Sequence, residues 1–206
     1  MLDQELSVLV HRHALASGVD LRLNVQPQRI ESSGPPRLRV VLQDGQVLET
    51  DLIMVTSGAL PDIKLAQAAN LRMGALGGLQ VDTHMRTSDP DIYSIGDAVE
   101  TPHRVTGVSM LTSLSVPLMQ QARIAAMHAT GREASYAGTL NTFICPFLGL
   151  RLAGTGASEK NLRATGTPYD KVLIPATQHA PFYPGARELH IKLLFSPGTG
   201  KLLGAQ

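Results

Sequence analysis

Apolar side chains recur at helical spacing in three stretches of the chain. Over residues 5–16 they return every three or four positions, and Gly18 follows as a typical C-terminal stop, which predicts an amphipathic helix. The same spacing predicts a short helix over 63–71. A third helix is predicted over 118–129, because Pro117 stands near its first turn, where a proline is tolerated.

Strand patterns occupy much of the remaining first half. Apolar and polar residues alternate over 19–25, which predicts a half-buried strand. After a predicted loop at 32–36, two strand-like runs at 38–42 and 47–49 flank Asp44-Gly45, as in a hairpin.

Three further apolar runs also predict strands. The run 52–56 is apolar throughout, which is typical of a strand covered on both faces in a parallel sheet. Shorter strands are predicted over 79–81 and 92–95, the second ending at Gly96-Asp97. Up to about residue 135 the chain is therefore predicted to have an α/β arrangement.

From about Tyr136 the pattern changes to strand-like runs, with one short helix predicted over 158–163. The runs lie at 150–152, 172–174, 189–195 and 202–203. Gly198-Thr199-Gly200 joins the last two as a hairpin. This part is predicted to be a separate α+β unit with a mostly antiparallel sheet.

The composition is that of a globular protein, since 43% of the 206 residues are hydrophobic and 17% are charged. A formal charge of +1 gives no attraction to nucleic acid or to an anionic membrane. One cysteine excludes a disulfide framework and a multi-cysteine metal site. The uncharged stretches 105–122 and 134–150 are too polar to span a membrane. We expect a cytoplasmic protein with no nucleic-acid or membrane partner.

Three local features suggest chemistry that their residues do not support. The Gly198–Lys201 segment lacks the first glycine and the final hydroxyl of a phosphate loop, so a hairpin turn is expected. His11 and His13 stand two apart on a helix and do not face each other, so no metal site is predicted. Cys145 lies in an apolar run, where we expect an inert buried thiol.

The Gly96-Asp97 pair is the most informative local feature. A carboxylate just after a buried strand lies where open α/β sheets bind ligands, and it can accept hydrogen bonds from ligand hydroxyls. The glycine before it allows a ligand or the next helix to approach the backbone closely. By themselves, these two residues are more typical of a turn that ends a strand.

Several motifs occur in the order and at the spacing of one enzyme family; they include 51–62, 77–82, 85–100, 105–107, 136–140, 183–186, 191–195 and 200–206. Through them the chain resembles, nearly end to end, the flavin-dependent pyridine nucleotide–disulfide oxidoreductases. It is most similar to their branch of coenzyme A-disulfide reductases, NADH oxidases and NADH peroxidases. The resemblance implies FAD and NAD(P)H as cofactors, a homodimer, and a small disulfide, polysulfide, oxygen or peroxide as the substrate.

The resemblance also assigns cofactor-binding residues. It implies that Asp97 accepts hydrogen bonds from the FAD ribitol and that Gly96 shapes this approach. Leu114 and Ser115 match the start of the family helix whose N-terminus faces the flavin pyrimidine ring. The free N–H groups and positive dipole end of such a helix favour the negative charge of reduced flavin. Leu118 departs from the family pattern, which commonly has alanine there.

Tyr183 is the candidate catalytic residue. In coenzyme A-disulfide reductases a tyrosine from this region of the partner subunit reaches toward the active site, and Tyr183 matches it. Its phenol would donate a proton or hydrogen bond to a leaving thiolate. A tyrosine that anchors the Pro184-Gly185 turn is the alternative.

The resemblance divides the chain into three parts. Residues 1–57 match the end of the NAD(P)H-binding domain, 58–135 the later part of the FAD-binding domain, and 136–206 the first part of the dimerisation domain. Because no G-x-G-x-x-G follows a strand, we expect the middle-to-late part of a longer enzyme. Alone it is expected to show negligible turnover and weak or no FAD binding. A stable, non-catalytic oligomerisation module derived from such an enzyme is the alternative.

Overall fold

The computed structural model describes residues 2–32, 34 and 38–206. The helices are α1 (Gln4–Ala16), α2 (Lys64–Ala68), α3 (Ser115–Ala129) and α4 (Glu159–Ala164), with a 3₁₀ helix at Gly96–Ala98. The strands are β1 (Pro27–Ser32), β2 (Leu38–Leu42), β3 (Val47–Thr50), β4 (Leu79–Gln80), β5 (Val99–Pro102), β6 (Ser109–Leu111), β7 (Phe143–Phe147), β8 (Leu150–Gly156), β9 (Asp170–Thr177), β10 (Glu188–Phe195) and β11 (Leu202–Ala205). Two compact units result: Met1–Val10 with Pro61–Gln206, and His11–Leu60.

In the unit His11–Leu60, strands β1, β2 and β3 form an antiparallel sheet. The predicted hairpin is confirmed, and it turns at Asp44-Gly45, where Gly45 has a φ of +84° that a residue without a Cβ adopts freely. Ser33, Pro35 and Pro36 of the predicted loop lie outside the described residues.

The predicted strands over 19–25 and 52–56 are wrong, since both segments are irregular. In the second segment the side chains of Leu52, Met54 and Val55 are 75%, 78% and 74% exposed. An apolar run becomes a buried strand only where neighbouring strands pair with its backbone and other groups cover its faces. Within the described residues no strand pairs with 52–56.

The other unit contains a small mixed sheet. Strand β4 pairs in parallel with β5, and β5 pairs in antiparallel fashion with β6. Helix α3 follows β6 and confirms the helix predicted over 118–129, while α2 confirms a shortened form of the helix over 63–71. Among the described residues, no helix has both the length and the apolar character needed to cross a membrane.

The predicted strand over 92–95 is wrong. Tyr93 makes only an isolated bridge with Arg86, because this segment folds back on residues 85–89 through single backbone hydrogen bonds. Its attachment to α3 comes from a side chain, since the Tyr93 hydroxyl lies 2.6 Å from Nδ1 of His128. Strand β5 begins only after the Gly96–Ala98 turn, so Asp97 precedes a strand and does not follow one.

The last part of the chain forms a five-stranded antiparallel sheet in the order β7-β8-β11-β10-β9. This confirms the predicted antiparallel sheet and its hairpin at Gly198-Thr199-Gly200; the fold as a whole is mixed α/β with antiparallel sheets. Helix α4 packs on the sheet through Leu162, which is fully buried. Leu162 forms one core cluster with Ala157, Leu194 and Leu203.

Both edge strands of this sheet contain a proline, Pro146 in β7 and Pro175 in β9. Proline has no N–H, so each outer edge lacks one of the donors that a further strand would pair with. Cys145 is exposed on β7, and the prediction of a buried thiol is wrong. An edge strand is flanked by a neighbour on one side only, which leaves the side chains of β7 largely uncovered.

Candidate cofactor site

Gly96 brings the 3₁₀ turn into close contact with helix α3. Its φ is +80°, and a Cβ at this position would lie 2.7 Å from Cδ1 of Leu118. Its N–H donates a hydrogen bond of 2.7 Å to Oε1 of Gln121, one helical turn further on. The glycine therefore admits the next helix, one of the two roles that the sequence allows.

Asp97 presents its carboxylate on this turn. The residue is exposed, and within the described part of the chain no hydrogen bond or ion pair engages its side chain. Burial of Gly96 and its contact with α3 fix the backbone that carries Asp97. The backbone of Asp97 is thus fixed, and both oxygens of its carboxylate are free to accept hydrogen bonds.

The first turn of α3 lacks a side-chain cap. Leu114 occupies the N-cap position with an apolar side chain, and the first N–H that bonds back to its carbonyl is that of Leu118, at 3.2 Å. Pro117 has no N–H to satisfy. Ser115 and Val116 are exposed, and their N–H groups have no acceptor within the helix. Together with the positive end of the helix dipole, these donors favour an acceptor-rich or anionic group.

A buried carboxylate supports the strand that leads away from Asp97. Oε1 of Glu100, on β5, accepts hydrogen bonds from the N–H groups of Leu76, at 2.7 Å, and Gly78, at 3.2 Å. It thereby closes the turn before β4 and joins β4 to β5. Sequence reasoning did not identify Glu100, because its carboxylate binds backbone groups 22 to 24 positions away.

Tyr183 lies in the loop between β9 and β10, away from any contact with the Gly96–Ala98 turn among the described residues. It is 61% exposed, and its ring contacts are with Phe182, at 4.9 Å between centroids, and His179, at 6.3 Å. Its N–H donates a hydrogen bond of 3.0 Å to the carbonyl of Ala180, within a turn of this loop. The structure therefore brings Gly96, Asp97 and the start of α3 together and leaves Tyr183 apart, on an outward-facing loop.

A buried cluster of charges was missed by sequence reasoning. Lys192, on β10, is only 1% exposed, and its ammonium lies 2.6 Å from Glu5, 3.2 Å from Asp3 and in direct contact with Glu159. Lys171 adds contacts of 2.6 Å to Glu5 and 2.9 Å to Glu159. The local pattern did not mark Lys192, because it alternates with apolar residues in β10 as Glu188 and His190 do, which predicts a side chain in solvent. A buried lysine needs anionic partners, and here they come from distant parts of the chain.

The pKa shifts of Glu5, Glu159 and Lys192 favour the charged form of each group. Hydrogen bonds from Lys171 and Lys192 lower the pKa of Glu5 to about 2. Burial raises the pKa of Glu159, but hydrogen bonds from Lys192, Tyr169 and Lys171 outweigh it and hold this pKa well below its usual range. Burial likewise lowers the pKa of Lys192, and its carboxylate partners raise it by more. The cluster is a structural ion-pair network, because each of its charges is paired with an opposite charge inside it.

The sequence model described as pyridine nucleotide-disulphide oxidoreductase matches residues 1–129, which include the Gly96–Ala98 turn and all of α3. The chain belongs to this family. The family consists of oxidoreductases, and the membership expected from the sequence is confirmed.

Three relatives illustrate the similarity. An NAD(P)H sulfur oxidoreductase (CoA-dependent) of Pyrococcus abyssi is 30% identical over 99% of this chain and 45% of the relative. An NAD-dependent persulfide reductase from A. fulgidus is 32% identical with a TM-score of 0.94, covering 100% of this chain and 38% of that one. An FAD-dependent pyridine nucleotide-disulphide oxidoreductase from Desulfovibrio vulgaris is 25% identical with a TM-score of 0.82, covering 99% and 48%. The chain spans less than half the length of each of these proteins.

Proposed function

We propose that this chain forms part of an FAD-dependent NAD(P)H oxidoreductase that reduces a small disulfide, polysulfide, oxygen or peroxide. One observation carries the proposal: the exposed Asp97 carboxylate lies on a turn that is fixed against α3, the helix whose first turn has no side-chain cap. Relatives named for sulfur, persulfide and FAD chemistry support the same reaction class.

The residues of this site fit a flavin dinucleotide. Asp97 has two free acceptor oxygens for the hydroxyls of a sugar-alcohol chain. Ser115 and Val116 offer backbone donors for the carbonyls and ring nitrogens of a flavin, and the helix dipole would stabilise negative charge there. When bound, FAD would supply a two-electron relay between NAD(P)H and the acceptor. The protein's own contribution is to bind and orient it.

Tyr183 has a separate role in this proposal. Its exposed phenol, on the β9–β10 loop, would donate a hydrogen bond or a proton to the thiolate leaving group in the active site of a second copy. The proposal therefore includes a homodimer. Its test is light scattering over a range of chain concentrations, with a dimer expected; a monomer at every concentration would contradict it.

FAD binding is tested by titrating the isotope-labelled full chain with millimolar FAD, followed by amide NMR. Shifts are expected at Asp97, Ser115 and Val116, and the Asp97→Asn variant is expected to bind about tenfold more weakly, since a hydrogen bond to a charged group is lost. Asp91→Asn is the matched control, because Asp91 is exposed on the loop that precedes this turn. Equal binding by both variants, or shifts confined to other regions, would count against the site.

A second candidate function, a non-catalytic oligomerisation module, also has structural support. The five-stranded sheet and α4 enclose a core of their own, formed by Ala157, Leu162, Leu194 and Leu203. FAD binding, and not turnover, separates the two functions. NADH or NADPH oxidation by the chain with a disulfide, polysulfide, oxygen or peroxide is expected to be negligible, while FAD-dependent shifts at Asp97 favour the enzyme origin and their absence in a stable dimer favours the module.

A further inference from the structure

Gln121 is one of the most buried polar side chains of the structure, at 2% exposure. It lies on α3, on the face that packs against the Gly96–Ala98 turn, and its Oε1 accepts the Gly96 N–H at 2.7 Å. The adjacent Gln120 is exposed. Two neighbouring glutamines thus have opposite surroundings, and only one of them bonds to the turn that carries Asp97.

The hydrogen bond from Gly96 meets a need of the backbone. A buried N–H requires an acceptor, and Gly96 stands in a 3₁₀ turn before β5, where no strand among the described residues supplies one. The side-chain amide of Gln121 provides this acceptor. Because Gly96 has no Cβ, the turn can approach Leu118 closely. The hydrogen bond to Gln121 fixes the orientation of the turn.

We infer that Gln121 is a positioning residue of the cofactor site. By accepting the Gly96 N–H, it fixes the backbone of the next residue, Asp97, relative to the uncapped first turn of α3. It acts through Asp97, and it is itself buried beneath the turn. This inference rests on the proposed function for its ligand, but the hydrogen bond itself can be tested without any cofactor.

The first measurement is amide hydrogen exchange at Gly96 in the full chain. The wild-type amide is expected to be protected, and Gln121→Met, which keeps the size of the side chain but removes the acceptor, is expected to speed its exchange about tenfold. Gln121→Glu keeps an acceptor oxygen and is expected to retain the protection. Gln120→Met is the matched control and is expected to change nothing. Rapid exchange of Gly96 in the wild type would overturn the inference without any variant, whether or not the variants fold.

The second measurement is a double-mutant cycle on FAD binding, read from amide shifts in the same chain. Gln121→Met is expected to weaken binding about tenfold in the wild-type background and to have little further effect in Asp97→Asn, because one residue acts through the other. Additive effects of the two substitutions would overturn the positioning role. If FAD causes no amide shifts in the wild type but the Gly96 amide still exchanges faster in Gln121→Met, the proposed cofactor is wrong. The support of the turn by Gln121 then stands. If the amide exchange rate of Gly96 is the same in Gln121→Met as in the wild type, the inference is overturned, whether or not FAD binds.

Discussion

The ammonium group of Lys192 lies 2.6 Å from the carboxylate of Glu5, although 187 positions separate the two residues. Glu5 lies in the first turn of α1, and Lys192 lies in the middle of β10. The contact attaches the start of the chain to the antiparallel sheet. Burying such a pair adds little stability by itself, since desolvation offsets the attraction, but removing one partner leaves charge unpaired in the interior.

Replacement of Lys192 is therefore expected to be severe. Lys192→Met removes the cation shared by Asp3, Glu5 and Glu159 and is expected to lower the free energy of unfolding by about 3–5 kcal/mol, measured by urea denaturation. Lys201→Met is the control, because Lys201 is exposed, and a change within about 0.5 kcal/mol is expected. Similar midpoints for the two variants would show that the buried network contributes nothing specific.

The same network predicts a loss of stability in acid. The pKa of Glu5 falls from 4.5 to about 2 on folding because of Lys171 and Lys192, so the unfolded chain takes up protons at this group more readily than the folded chain. The stabilisation from the ionised Glu5 is fully present above about pH 4.5 and is lost as the pH falls toward 2. Glu159, whose pKa is also lowered, adds a contribution of the same sign.

Thermal melting between pH 7 and pH 2 measures this effect. The melting temperature of the wild type is expected to fall most steeply below about pH 4.5, and Glu5→Gln is expected to show a shallower fall over the same window. Glu31→Gln is a suitable control, because Glu31 is partly exposed on β1 and only its surface pairs with arginines are lost. An identical slope in Glu5→Gln and the wild type would refute the linkage.

Local sequence signals predicted the elements whose partners lie nearby in the chain. The Asp44-Gly45 and Gly198–Gly200 hairpins and helix α3 each depend on turn residues or on helical spacing, and all three are confirmed. The apolar run at 52–56 failed for the opposite reason: a buried strand needs partners from elsewhere, and composition does not reveal whether they are present.

The candidate site was predictable in part. Asp97 and Ser115 were found through the resemblance, whereas the strand expected before Asp97 is a loop held by Tyr93 and His128. Gln121, Glu100 and Lys192 were missed because each acts through a long-range contact: 25 positions for Gln121 to Gly96, and 187 for Lys192 to Glu5. Pattern along the chain gives the period of an element, and it does not give the partner of a buried polar group.

Substitution of Gly96 tests its contact with α3. Gly96→Ala places a Cβ 2.7 Å from Leu118 and also forces alanine to a φ of +80°. Gly131→Ala is the matched control, since Gly131 has a φ of +79° with open space around it and shares only the backbone cost. Gly96→Ala is expected to cost about 1–3 kcal/mol more than the control in urea denaturation, from overpacking against Leu118. The double variant Gly96→Ala/Leu118→Ala should remove the clash, and a persistent difference there would place the strain elsewhere.

The prolines on the two edge strands lead to a prediction about association. With Pro146 in β7 and Pro175 in β9, neither edge of the five-stranded sheet offers a full row of donors, so a second copy is expected to meet this sheet by its faces or loops and not by adding a strand. Pro146→Val/Pro175→Val restores both donors, and strand-mediated aggregation is expected to rise at least severalfold, measured by light scattering and thioflavin fluorescence. Pro168→Val is the control, because Pro168 is exposed in a loop before β9 and is not part of an edge. If the double variant stays as dispersed as the control, the prolines do not protect the edges of this sheet.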